Sequence, residues 1–448
     1  MTKLTWWQIF RLGLVQTALG SIVVLCTSTM NRVMVVELAL PATLPGLLVG
    51  LHYAVQLGRP RFGYDSDQGD RRTPWIIGGI GVLGLGAFMA AIAIALSPEH
   101  PWLGVAMAMV AYLLIGAGVG SSGTSLLAML ASRVDPSRRA PAASMVWLMM
   151  IAGFVVTTAI VGQLLDPFTL DRLVLVTVAV AAFALFLTTV ALRGIEPTEL
   201  APTPEVEVEA PRAPDSRPFR EVFSEVWGEP KARAFTIFVF ISMLAYSTQD
   251  LILEPFAGVV FGLSPAESTK LASVQHSGVF LGMLLVAFAA GGSKGPRFGS
   301  IRFWTIAGCI TSAIALGAIA LAGVVGADWP LRLTIFALGF CNGAFAVAAI
   351  GWMMSLAGTG RESREGIRMG LWGGAQAIAF ALGGWAGTMG VDLIGLFTES
   401  ATLPYSTVFV AEAVVFLLAA AIALRLERAP ARQRATAGIL VQAHGRSS

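Results

Sequence analysis

Arg32 and Glu37, five residues apart, and Asp250 and Glu254, four apart, are charged side chains set within stretches otherwise apolar enough to cross a bilayer. Hydrocarbon makes an ionised side chain costly, so charges retained there mark places where protons, ions or polar ligands are handled. Asn31 adds an amide beside Arg32. The expected arrangement is an ion pair between Arg32 and Asp250 across two helices, with Glu37 and Glu254 nearer one membrane face. The alternative is that all four sit near the ends of long tilted helices and reach interfacial water. His52 and His276 are a second kind of candidate, because a neutral imidazole within a membrane span can ligate a metal or donate a hydrogen bond. Gln56 and Gln275 are polar partners close by in sequence, and the competing role for each histidine is a hydrogen-bonded packing residue.

The elements that must position these groups are membrane helices. Of 448 residues, 56% are hydrophobic and only 13% charged, a balance that leaves a soluble domain too little polar surface to cover itself. Measured against the roughly 20 residues a bilayer requires, the chain divides into twelve expected spans, about 11–38, 43–60, 75–96, 102–130, 141–165, 172–193, 231–260, 270–292, 302–325, 331–357, 367–391 and 406–425. Even parity puts both termini on one side. All of the 30 Lys and Arg residues except Arg32, Arg172, Lys270 and Arg332 fall in the termini and the even-to-odd loops or at the span ends that adjoin them, which makes that side cytoplasmic. No cleaved signal peptide is expected. Cys26, Cys309 and Cys341 lie far apart in apolar runs and propose neither a disulfide framework nor a metal site.

Residues 194–230, rich in proline and acidic residues, read as a cytoplasmic linker between two six-helix halves, 1–193 and 231–426, with 427–448 a cytoplasmic tail. Duplication is visible across the linker. Ser28-Thr29-Met30-Asn31 corresponds to Ser247-Thr248-Gln249-Asp250, each followed by an apolar stretch and a glutamate, while Asp166 and Asp392 close the fifth and eleventh spans at similar offsets. Glycines such as Gly116, Gly118, Gly383 and Gly387 read as helix-packing faces. An all-α membrane protein of twelve transmembrane helices with the 6+6 pseudo-symmetric fold of the major facilitator superfamily is the expectation.

Between the second and third spans lies a strongly charged loop, RPRFGYDSDQGDRRTPW over 59–75. Gly63, Asp67, Gly69, Arg71 and Arg72 resemble the superfamily's signature loop, which pins the ends of neighbouring helices, although Asp67 and Gly69 stand closer together than in the usual transporter form. The other reading of the loop is a positive-inside topogenic segment. The whole interval, with Asn31-Arg32-Val33-Met34 and Glu37 in the first span and Gln249-Asp250-Leu251-Ile252-Leu253-Glu254-Pro255 in the seventh, resembles the PucC-like and LhaA-like family, the bacteriochlorophyll-delivery branch of the superfamily. The resemblance implies an assembly factor of the bacterial intracytoplasmic membrane that binds bacteriochlorophyll or a precursor and delivers it to light-harvesting or reaction-centre polypeptides, in company with pigment-synthesis enzymes and lipid. It further implies His52 or His276 as an axial ligand to the magnesium of a chlorin.

The alternative is a proton-coupled secondary transporter of a small hydrophobic solute, using Asp250, Glu254 or Glu37 as coupling carboxylates. Catalytic readings find no support in the sequence: no phosphate-cradling glycine loop, no metal-site spacing and no nucleophile elbow. Nucleic-acid binding is equally unsupported, because the net charge of +3 is spread over short membrane-adjacent loops.

Overall fold

The computed structural model describes residues 4–58, 71–135, 138–196, 227–290, 298–357 and 365–444. In chain order its long helices are α1 (Trp6–Glu37), α2 (Thr43–Gln56), α3 (Thr73–Leu96), α4 (Pro101–Arg133), α5 (Arg139–Leu164), α6 (Leu170–Leu192), α7 (Pro230–Phe261), α8 (Pro265–Ala290), α9 (Ile301–Val325), α10 (Leu331–Ala357), α11 (Glu365–Gly395) and α12 (Leu403–His444). Eleven of them are long and apolar enough to cross a membrane. The chain is therefore a multi-pass helical membrane protein. The remaining helix, α2, is described for 14 residues, and the loop residues Gly63, Asp67 and Gly69 lie outside the described chain.

Several boundaries differ from the sequence expectation by a few residues, most visibly at the two termini. α1 begins at Trp6 rather than near residue 11, because Thr5 and Gln8 form a capping box: the Thr5 hydroxyl accepts from the Gln8 N–H at 3.3 Å, and Gln8 Oε1 accepts from the Thr5 N–H at 2.9 Å. At the other terminus α12 continues to His444, so most of the expected tail is helical. It runs through Pro430, which has no N–H to give the Leu426 carbonyl, a position where a helix ordinarily ends or kinks.

Buried apolar side chains gather mainly into two cores. One is drawn from α7 to α12 around Phe235, Phe256, Phe345, Phe409 and Phe416. The other comes from α1 to α6 around Met30, Leu83 and Tyr112, and takes from the later helices only Leu251 and Ala266. A further cluster, around Ile9, Leu12 and Met129, lies within the first six helices, and a small one, Ile151 with Val279 and Met283, joins α5 to α8. Large apolar side chains such as Phe183, Phe186, Ile314, Val324 and Val414 point outward, where only hydrocarbon leaves them at no cost.

Within the later helices, α8 and α10 meet backbone to backbone. A Cβ on Gly282 would stand 2.1 Å from the Phe340 carbonyl oxygen, and one on Gly339 would stand 2.0 Å from the Gln275 carbonyl oxygen. Such approach is available only where a side chain is missing. The expected packing role of Gly383 is of the same kind, since its Cβ would meet Ser247 of α7. Gly374 of α11 faces open space.

The hydrogen bonds between the first six and last six helices concentrate at one end of the bundle, where α1, α5, α7 and α11 finish and α2 and α8 begin. There Asp392 of α11 caps α2: its Oδ1 accepts from the Ala42 N–H at 3.0 Å and its Oδ2 from the Thr43 N–H at 2.6 Å, with the Thr43 hydroxyl donating as well. A carboxylate at a helix N-terminus satisfies orphan donors and meets the positive end of the helix dipole. Asp392→Ala is expected to lower stability by about 1–2 kcal/mol, the size of a lost cap, and Asp392→Asn by less. Thermal unfolding of the detergent-solubilised variants checks this; equal losses for Ala and Asn would contradict it.

The opposite end is held by arginines within the first six helices. Arg138 donates to the Leu4 carbonyl at 3.1 Å, Arg133 to that of Ile195 at 2.9 Å and Arg72 to that of Ala128 at 2.9 Å. Glu196 ties α3 to the end of α6 by accepting from the N–H groups of Arg72 at 3.1 Å and Thr73 at 2.9 Å. Burial pushes the Glu196 carboxyl up, but those hydrogen bonds and the charge of Arg133 outweigh it and hold the group below the usual carboxylate range. Because the folded value lies below the unfolded one, this stabilisation is present above the ordinary carboxylate range and fades as pH falls through the folded value. Glu196→Gln is expected to be less stable than the wild type at neutral pH and to lose less on acidification, as read by unfolding temperature against pH.

Candidate functional site at the crossing of the first and seventh helices

Both helices that carry the intramembrane charges depart from regular α-geometry where they cross. α1 contains two π-type turns, Leu25–Thr29 and Val33–Glu37. Each adds a residue to a turn and rotates the later part of the helix against the earlier part, a device often found at functional positions. α7 narrows into a 3₁₀ turn over Gln249–Leu251 before resuming at Leu253. Pro255 supplies a reason. It has no N–H to give the Leu251 carbonyl one turn back. That carbonyl accepts instead from Asn31 Nδ2 at 2.7 Å, so a break in one helix becomes a tie to the other.

Around this tie the other polar groups converge. The Ser28 hydroxyl donates to Glu254, and the Thr29 and Thr269 hydroxyls are 3.2 Å apart. Arg32 is 2% exposed; it forms an ion pair with Glu37, itself 35% exposed, and donates from Nη2 to the Leu263 carbonyl at 2.5 Å. Gly262, at φ 65°, closes α7 just before Leu263. The guanidinium thus meets the negative end of α7 as well as a carboxylate. A Cβ on Gly258 would stand 3.0 Å from Arg32 Nη2, so the missing side chain there makes room for the guanidinium. Glu254 lies within electrostatic reach of Arg32.

The expected pair between Arg32 and Asp250 does not form. The π turn over Leu25–Thr29 that precedes Arg32 and the 3₁₀ turn over Gln249–Leu251 that contains Asp250 take both side chains off their regular helical positions; Arg32 meets Glu37 and the end of α7, while Asp250 is exposed beside Tyr246. Four buried polar atoms at the crossing, Asn31 Oδ1, Arg32 Nε, Gln249 Oε1 and Glu254 Oε2, have no hydrogen-bond partner among the described residues. Each unsatisfied group costs roughly 1–3 kcal/mol, which a water or a polar ligand group would recover. Chemically, the crossing can hold a small polar or charged group between a guanidinium, a carboxylate and two amides.

The histidines lie elsewhere and in different seams. His52 of α2 is 2% exposed, with its Nε2 2.8 Å from Gln56 Nε2, and its carbonyl is so close to α4 that a Cβ on Gly116 would stand 2.6 Å away. An imidazole engaged in this way does not fit the role of a chlorin's axial ligand. His276 of α8 is half-buried, its ring edge-on to Phe154 of α5 at 5.1 Å, and it makes no hydrogen bond among the described residues. Its donor set does fit. Gln275 beside it is buried, its carbonyl against Gly339. Arg72 holds the α4 carbonyl of Ala128, and Arg71 is exposed.

Sequence reasoning overlooked Glu412, a lone glutamate in the apolar run of α12, 3% exposed and within electrostatic reach of Asp250. The signal was available, since Ala411-Glu412-Ala413-Val414-Val415-Phe416 places an acid amid hydrocarbon-compatible residues.

Helices of this length, crossing through irregular turns with polar groups gathered at one end of the bundle, make a polytopic membrane protein with the fold of solved transporters. Solved transporters share it: a bacterial homologue of the human lysosomal transporter Spinster, in its inward-facing and unoccupied conformation, superposes with a TM-score of 0.68 at 16% identity, covering 95% of this chain and 98% of that one. A bacterial homologue of the human peptide transporters PepT1 and PepT2 gives 0.68 at 13% identity, covering 95% and 99%. The chain belongs to the PUCC protein family, whose profile matches residues 29–431. It is 52% identical over 422 residues to the "Bacteriochlorophyll synthase 44.5 kDa chain" of Rhodobacter capsulatus, covering 94% of this chain and 95% of that protein. It is also 28% identical over 438 residues to Protein PucC of Rhodobacter capsulatus, covering 94% and 92%, and 30% identical over 387 residues to Protein PucC of Cereibacter sphaeroides, covering 83% and 80%.

Proposed function

We propose that this chain is a non-enzymatic assembly factor for photosynthetic light-harvesting or reaction-centre complexes, which holds bacteriochlorophyll or a precursor and passes it to antenna polypeptides. The observation that carries this reading is the 52% identity, across nearly the whole length of both chains, to a protein named for bacteriochlorophyll synthesis, within a family named for PucC. In this reading α2 is the twelfth membrane crossing, two six-helix halves flank the 194–230 linker, and the basic termini face the cytoplasm, as the distribution of Lys and Arg favours. The membrane is the intracytoplasmic one of a phototrophic bacterium. His276, near the seam of α5 with α8, is the residue that would hold the pigment's magnesium, with Phe154 against its ring.

The reading is tested by purifying the tagged full-length protein from a phototrophic host and identifying bound pigment and polypeptides. Bacteriochlorophyll with antenna subunits is the expected result, with the pigment band shifted or lost in His276→Ala and kept in His52→Ala. A monodisperse protein carrying neither pigment nor subunits would overturn it. The transporter-type fold favours a second reading, proton-coupled carriage of a small hydrophobic solute. Deleting the gene separates the two: antenna complexes lost while pigment synthesis continues supports assembly, whereas a solute-specific growth defect supports transport.

A further inference from the structure

Two contacts set the register of α1 against α7. The Ser28 hydroxyl donates to Glu254 Oε1, and a Cβ on Gly258 would stand 3.0 Å from Arg32 Nη2. Ser28 and Arg32 are four apart on one helix, as Glu254 and Gly258 are on the other. The two helices therefore run side by side in the same direction here, and the contacts are successive rungs of one seam, a turn or about 5.4 Å apart. The second carboxyl oxygen of Glu254, Oε2, belongs to the first rung, and Arg32 Nε belongs to the second. Both atoms are buried, and neither has a hydrogen-bond partner among the described residues.

The donors nearest these two atoms are engaged elsewhere. Arg32 gives Nη1 to Glu37 and Nη2 to the Leu263 carbonyl, and Asn31 gives Nδ2 to the Leu251 carbonyl. Ser268 of α8 comes close to Glu254, but its hydroxyl donates to the Pro265 carbonyl at 3.2 Å. Thr29 and Thr269 pair with each other at 3.2 Å, and these three α1 and α8 hydroxyl residues are fully buried, closing the seam on that side. What remains is one N–H that carries part of a positive charge, and two oxygens that accept, Glu254 Oε2 and Asn31 Oδ1. A cation is repelled by the first and an anion by the second pair. A neutral hydroxyl suits both, because its oxygen accepts while its hydrogen donates.

We propose that the seam between α1 and α7 binds one neutral hydroxyl oxygen, of a water or of a ligand alcohol, which accepts from Arg32 Nε and donates to Glu254 Oε2. A single bridging oxygen satisfies both buried groups and ties the first helix to the seventh as a direct hydrogen bond would. Glu254 is then held at both oxygens, by Ser28 and by the bridge. Its role is to fasten the crossing, and an exchange of protons with a solute falls to a different acid. The proposal is independent of what the protein carries or assembles.

Structure determination of the full-length protein in lipid nanodiscs, at a resolution that shows ordered water, tests it. One oxygen-sized peak is expected within about 3.2 Å of both Arg32 Nε and Glu254 Oε2. An isolated peak identifies a water, and density continuing into a larger molecule identifies a ligand alcohol. The peak should remain in Glu254→Gln, which keeps a polar group there, and be lost in Glu254→Leu. A direct hydrogen bond between Arg32 and Glu254, or no density between them, overturns the proposal. So does an ion at this place, read as an unfolding temperature that differs between matched sodium and choline chloride, or between sodium chloride and gluconate, in the wild type but not in Glu254→Gln. The wild-type map and the salt series decide the matter even where Glu254→Leu does not fold.

Discussion

Replacing Arg32 by alanine is expected to destabilise the protein by about 3 kcal/mol, the lower end of what breaking a buried ion pair costs. Three losses combine: the pair with Glu37, the hydrogen bond to the Leu263 carbonyl, and the cation within reach of Glu254. Glu37 keeps some access to solvent and softens the penalty. Lysine is not expected to rescue the site, because one ammonium cannot reproduce the planar fork that meets a carboxylate and a carbonyl together. The measurement is thermal or denaturant unfolding of solubilised protein, with double variants to apportion the effect. Arg32→Ala with Glu37→Ala should be less than additive, whereas Arg32→Ala with Asp250→Ala should add within about 0.5 kcal/mol, since the two side chains share no partner. Strong coupling to Asp250 and none to Glu37 would reverse the assignment.

Gly282→Val is expected to be at least as damaging, at about 3 kcal/mol or more, because there is no flexible side chain to move aside. The obstacle is the Phe340 carbonyl oxygen, 2.1 Å from where the new Cβ would be, so α8 and α10 must separate along their length. That separation would also displace Gln275 and His276, which α8 carries. Gly317→Ala on α9 is the control: no atom lies within 4 Å of its added Cβ, and the change should stay within about 1 kcal/mol of neutral. Retention of the folded, monodisperse fraction in Gly282→Val would show that the seam yields more readily than its geometry implies.

The membrane helices were legible in the sequence because hydrocarbon imposes a length and a composition that few other folds share. The start of α1 was legible too, through Thr5 and Gln8, but a capping box in a stretch of tryptophans is easily passed over. What the pattern does not carry is helix irregularity. Two π turns in α1 and a 3₁₀ turn in α7 change which way Arg32 and Asp250 face, and the π turns have no signature in residue type alone. Pro255 announces a break without saying that Asn31 would take up the Leu251 carbonyl. Glu412 was missed for a different reason: attention to duplicated positions favours residues that have a counterpart in the other repeat, and a lone acid has none.

The ties between the earlier and later helices gather at the end of the bundle where Asn31, Arg32 and Thr43 lie, while α1 runs back from there through more than 20 residues to Leu4. At 1.5 Å per residue this is a lever arm of about 40 Å, so a tilt of about 5° at the pivot sweeps the far end through roughly 3 Å. The hydrogen bonds of Asn31, Arg32 and Asp392 therefore act on leverage as well as on stability.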